Sequence, residues 1–191
     1  PPVEFIPPLE ASGLIYELDC YVWETVCRDL QRWNAQGKRR SASVNLSRSD
    51  VREDRDIPKL FLEMVRSHGI SADQLRIEIT ESAYVKDSAL LLQTTAKLRE
   101  LGFQVEMDDF GSGYSSLPML KDVPGDRIQL DLKFLTRTGD IERGRVIVRF
   151  MIQMVKALGM DLIAEGVEFA RQAEFLMSHG CFEMQGYYFF K

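Results

Sequence analysis

The stretch "FQVEMDDFGSGYSSL", residues 103–117, opens as an apolar strand and ends in charge. Glu106, Asp108 and Asp109 crowd its C-terminal end, and Gly111 and Gly113 follow at once. Neighbouring carboxylates repel each other, and a strand end facing a core is a costly place for charge. Glycines let a backbone bend closely around a neighbour. The segment is therefore either a solvated turn or the seat of something positive.

The pattern recurs along the chain. Strands are predicted over residues 41–46, 75–80, 103–107, 127–131, 161–165 and 181–185. Helical periodicity fills 14–33, 58–68, 87–101, 141–158 and 169–179, and each helix but the first stops at or just before a glycine. Strands alternating with helices mean parallel βαβ units. A doubly wound dinucleotide-binding sheet would need G-x-G-x-x-G after a strand, and "GSGYSS" does not fit it. A barrel instead collects polar residues at strand C-terminal ends. They are there: Asn45, Glu78 with Glu81, Asp108 with Asp109, Asp131, Glu165 with Glu168, and Gln185. Six strands are two short of a TIM-type (β/α)8 barrel. The opening "PPVEFIPPLEASGLI" reads as a loop entering a helix, so the first two strands are expected upstream.

Bulk properties narrow the function. A chain of 191 residues with 45% hydrophobic content is one domain, or a fragment of one, with a real core. Net charge of −5 argues against a DNA grip. No apolar run reaches membrane-spanning length and no signal peptide is visible, so a cytoplasmic location is expected, with anchoring through an upstream region left open. Cys20, Cys27 and Cys181 lack any CxxC spacing and read as reduced thiols. His68 and His179 each precede a helix-stopping glycine and read as capping residues.

Any one of these carboxylates is explained equally well as a helix cap. Together, converging on one barrel face, they call for cations. Oxygen donors without thiolate or imidazole point to Mg²⁺, Mn²⁺ or Ca²⁺, and shared carboxylates suggest two ions, the arrangement that serves phosphodiester hydrolysis. A lysine-based aldolase- or enolase-type barrel ranks far below, because no strand end carries a lysine.

Five motifs in register, "VNLS" (44–47), "EITES" (78–82), "DDFGSGYSSL" (108–117), "AEGVE" (164–168) and "QGYYF" (185–189), resemble the EAL-domain cyclic di-GMP phosphodiesterases over essentially residues 1–191. "FIPPLEASGLI" resembles that family's opening segment as well. The resemblance implies a modified TIM barrel that opens cyclic di-GMP to linear pGpG with two Mg²⁺ or Mn²⁺ ions. It implies metal binding by Asn45, Glu78, Asp108, Asp109 and Glu165, with Asp108 bridging and Glu165 also holding the attacking water. Gln185 would support the cluster and Glu168 would lie beside it, unless Glu168 is only a helix first-turn residue. Glu81 would anchor the "DDFGSGYSSL" loop, through which a homodimer would form. A sensor or cyclase domain is expected upstream.

Two departures stand out. The EAL tripeptide, whose glutamate binds metal, does not occur in the chain. The family's "KIDRSF" is here "QLDLKF", residues 129–134, so Gln129 stands at the catalytic lysine position while Asp131 is kept. Lys133 lies too far along the strand to replace that lysine and reads as a solvated loop residue. Losing one such charge costs on the order of 10²–10³ in rate. Two outcomes are thus open: a phosphodiesterase, or a weakened domain that binds cyclic di-GMP as a receptor.

Overall fold

A computed structural model describes residues 1–84, 89–111, 120–121, 125–132 and 141–190. They form two compact units, Pro1–Ile79 with Ala83–Val105, and Thr80–Ser82 with Glu106–Lys191.

In the first unit α1 (Pro2–Ser12) and α2 (Ile15–Ala35) precede strand β1 (Ala42–Asn45), and α3 (Ile57–Ser67) follows it. Strand β2 (Leu75–Thr80) pairs parallel with β1, Val44 against Ile77 and Asn45 against Glu78. A short helix α4 (Glu81–Tyr84), then α5 (Ala89–Glu100), lead to β3 (Gln104–Phe110). The core is aromatic: Trp23 stacks at 4.7 Å on Phe61, and Phe61 at 5.9 Å on Phe103. Trp23 is fully buried, so its indole N–H needs a partner, and it donates to the Asn45 carbonyl at 2.9 Å. That bond ties α2 to the C-terminal end of β1.

The opening segment departs from the expected loop. Residues 2–12 are helical despite Pro7 and Pro8 inside the helix. The two missing N–H groups matter little on an exposed segment, where water can satisfy the carbonyls they leave. Gly13, left-handed at φ 75°, closes the helix, and Leu14 N–H bonds back to the Leu9 carbonyl.

The second unit holds the end of β3, then β4 (Arg127–Asp131), α6 (Ile141–Ala157), β5 (Asp161–Glu165), α7 (Ala170–Ser178) and β6 (Glu183–Met184). β3, β4, β5 and β6 pair in chain order, and every pair is parallel. A doubly wound sheet would reverse its order, and this run does not. Ile128, Leu130, Ala164, Val148, Ile152 and Val155 are all fully buried between sheet and helix. At about 25 cal/mol per Å² such packing is the main force holding the layers together.

Candidate active site

The acidic strand ends are built by β-geometry. Strand β3 runs three residues beyond the expected 103–107, through Asp108 and Asp109 to Phe110. Met107 opposes Ile128 and Phe110 opposes Leu130, so three steps on β3 match two on β4. Asp109 is the extra residue of a β-bulge, held left-handed at φ 57°. Strict alternation would put Asp108 and Asp109 on opposite faces. The bulge returns Phe110 to the core, where it is 1% exposed, and leaves Asp108 half-buried and Asp109 exposed. The Asp109 N–H donates to Asp108 Oδ1 at 2.7 Å, which orients that carboxylate.

Asp131 and Glu165 are register partners at the ends of β4 and β5, both half-buried. Side chains at paired positions of parallel strands project to one face. The Leu132 N–H bonds to the Glu165 carbonyl at 3.0 Å and prolongs the pairing past both strand ends. Gln185, exposed, is locked by its backbone: its N–H donates to Ala164 O at 2.8 Å, and its carbonyl accepts from Val167 N–H at 3.1 Å. Glu168 is exposed in the turn two residues ahead of α7, not in the helix's first turn, and Gln172 Oε1 accepts its N–H at 2.8 Å.

Glu81, 2% exposed, accepts the Gly111 N–H at 3.2 Å through Oε2. The remainder of the loop, residues 112–117, lies outside the described residues, as does Lys133. In the first unit, Asn45 is exposed and Glu78 half-buried at paired positions of β1 and β2.

Gln129, 4% exposed, lies two residues below Asp131 on the same strand face, and its Nε2 donates to Glu106 Oε2 at 3.2 Å. Arg127, 7% exposed, completes a buried polar layer, with Nε 3.6 Å from Glu106 Oε1 and a terminal nitrogen 2.8 Å from Glu183 Oε2. Sequence reasoning left Glu106 and Arg127 without a role. Their signal was parity: Glu106 alternates in step with Asp108, and Arg127 with Gln129 and Asp131.

Residues set aside as structural are so. His68 Nδ1 donates to the Met64 carbonyl at 2.9 Å, and His179 Nδ1 to Phe175 at 2.8 Å. All three thiols are free, and burial pushes Cys27 up to about 11, where it is no nucleophile.

Among the described residues no three His, Cys, Asp or Glu side chains gather closely enough to hold an ion. The donor chemistry still fits a hard cation, since every candidate ligand offers oxygen. Asp131 and Glu165 are the pair this unit brings to adjacent positions.

The family model of the EAL domain matches residues 1–191 of this chain. The chain belongs to the EAL-domain family. It is 34% identical to the cyclic di-GMP phosphodiesterase PdeR of Escherichia coli over 191 residues, all of this chain and 29% of that protein. Among solved structures it superposes on the phosphodiesterase PaMucR in complex with c-di-GMP with a TM-score of 0.90 at 29% identity, covering 100% of this chain and 77% of that one. It also matches Klebsiella pneumoniae BlrP1 in a calcium and cyclic di-GMP complex, at TM-score 0.84 and 26% identity, over 98% of this chain and 47% of that one. The chain spans between 23% and 32% of the length of eight curated relatives that it matches. Its fold is the TIM-type barrel of EAL domains, with six of the eight strands of a closed barrel among the described residues. No described helix is long and apolar enough to cross a membrane.

Proposed function

We propose that this EAL domain hydrolyses cyclic di-GMP to linear pGpG in bacterial second-messenger signalling, with two Mg²⁺ or Mn²⁺ ions. The observation that carries the reading is the register pairing of Asp131 with Glu165 in a chain that matches the family over its whole length. Relatives named as cyclic di-GMP phosphodiesterases support the substrate.

Asn45, Glu78, Asp108, Asp109 and Glu165 would hold the metal, which when bound supplies the Lewis acidity that offsets phosphoryl charge. Glu165 would also hold the attacking water and Asp131 would take up its proton, and Gln185 braces the strand that carries Glu165. Glu168 sits at the rim. Glu81 fixes the start of the "DDFGSGYSSL" loop, through which two copies would associate. Upstream strands with the EAL glutamate, and a sensor or cyclase domain beyond them, would complete a cytoplasmic signalling protein that an upstream segment could anchor to a membrane. Gln129 accepts or donates hydrogen bonds where the family's lysine adds charge, so turnover is slow relative to lysine-bearing relatives.

Incubating the full-length protein, EAL glutamate included, with cyclic di-GMP and Mn²⁺ and resolving the products by chromatography tests this. Metal-dependent appearance of pGpG is expected. Tight binding of cyclic di-GMP without any pGpG would establish the receptor alternative, and neither binding nor turnover would overturn both.

A further inference from the structure

The polar layer beneath Asp131 is a coupled unit. Glu106 and Arg127 are register partners on β3 and β4, and Gln129 follows Arg127 on the same face. Gln129, Glu106 and Arg127 are each less than a tenth exposed, so their interactions are little screened by water. From its place on β4, Arg127 reaches three other strands: Glu106 on β3 at 3.6 Å, Asp161 on β5 at 3.8 Å and Glu183 on β6 at 2.8 Å. Glu106 is thus ion-paired from one side and accepts the Gln129 amide from the other, at 3.2 Å. An ionised carboxylate only accepts hydrogen bonds. The amide therefore turns its NH₂ toward Glu106 and its carbonyl oxygen away.

We propose that Glu106 is a positioning residue for Gln129, so that positions 106 and 129 work as one unit on the phosphodiester. This rests on the phosphodiesterase reading for its catalytic meaning. It has a direct consequence for restoring the family's lysine. A lysine at 129 would set its ammonium beside the buried Glu106 carboxylate, and that pairing would hold the charge away from the developing phosphoryl charge. Glu106 must change before a lysine at 129 is useful.

A double-mutant cycle on the full chain tests the coupling, using Gln129→Lys, Glu106→Gln and both together. Glu106→Gln keeps the shape of the side chain, and Arg127 keeps Glu183. Gln129→Lys alone is expected to lower kcat by about 3-fold or more, because it removes the Gln129 amide while Glu106 holds the new ammonium. Adding Glu106→Gln raises it by about 10-fold or more with KM little changed, part of the 10²–10³ that one fixed charge supplies. Glu106→Asp preserves the charge opposite Arg127 but withdraws the acceptor by one methylene. The Gln129 side-chain amide resonances, assigned by their loss in Gln129→Lys, should therefore move in both Glu106 variants while melting temperature stays within a few degrees in Glu106→Asp. Multiplicative effects on kcat, or unmoved resonances, overturn the proposal. If no version turns over cyclic di-GMP, the phosphodiesterase reading fails by itself. Cyclic di-GMP affinity across the same cycle then decides, coupled changes in Kd supporting the unit and independent ones overturning it.

Discussion

Glu81 Oε2 accepts the backbone N–H of Gly111 at 3.2 Å, joining the segment after β2 to the end of β3 across thirty residues of chain. A buried carboxylate on a backbone amide is a charge-assisted bond, worth about 1.5–3 kcal/mol. It holds the backbone immediately after Asp108 and Asp109.

Replacing Glu81 by alanine should therefore affect order more than ligand contact. The melting temperature is expected to fall by roughly 3–12 °C, given about 2–4 °C per kcal/mol for a domain of this size. Turnover of cyclic di-GMP should drop by about 10-fold or more through misplacement of the loop, with Kd little altered. Calorimetry and steady-state kinetics on the same preparation separate the two effects. A large loss of affinity with kcat unchanged would contradict the anchoring role.

In the full-length protein, metal binding to the folded state and not to the unfolded one should raise stability. At about 100 times its Kd, Mg²⁺ or Mn²⁺ should add ~2.7 kcal/mol, visible as a melting shift against a chelator control. Asp108→Asn should remove most of that shift. Identical melting curves with metal and with chelator would end the two-metal reading.

Gly186 tests the turn that carries Gln185. A Cβ there would sit 2.2 Å from the Val167 carbonyl oxygen and 2.4 Å from its nitrogen, on backbone at φ +152°. Neither atom belongs to a flexible side chain, so Gly186→Ala should displace the turn and cost more than the ~1–3 kcal/mol of an unfavourable φ alone. Gly159→Ala is the control, since its left-handed φ is similar in kind but its Cβ meets nothing within 4 Å. Thermal melts should rank Gly186→Ala well below Gly159→Ala.

Stability should also depend on pH through the first unit. Burial, and then the charge and hydrogen bond of Asp50, push the Asp19 carboxyl up to about 7. Asp50 is fully buried and accepts both the N–H and the hydroxyl of Ser47 through Oδ2, at 2.8 and 2.7 Å. The folded chain thus holds a proton that the unfolded chain releases near pH 4. Its stabilisation is complete below that pH and is lost as pH rises through about 7. Asp19→Asn should flatten the fall in melting temperature between pH 5 and 8. A wild-type chain equally stable at both would show the proton is not shared.

The legible part of this protein was local. Period-2 runs such as "LRIEIT" and "RIQLD" mark their strands to the residue, because alternation and β-branched content are properties of neighbours in the chain. Helix-stopping glycines marked the αβ loops for the same reason. The candidate site residues Asn45, Glu78, Asp108, Asp131 and Glu165 were visible as polar residues closing apolar strands. The opening helix was not, because Pro7 and Pro8 speak against a helix locally and exposure makes them tolerable.

What tertiary structure alone decided concerns pairs of residues far apart in sequence. The bulge at Asp109 exists only as a mismatch between β3 and β4, and no single strand records it. The same holds for the buried layer: Gln129 read alone is a lysine position without its charge, whereas beside Glu106 and Arg127 it is one end of a balanced network. Sequence determines which face a side chain takes, because alternation is set within a strand. Register determines which side chains meet, because it depends on hydrogen bonds between strands that the chain brings together only when folded.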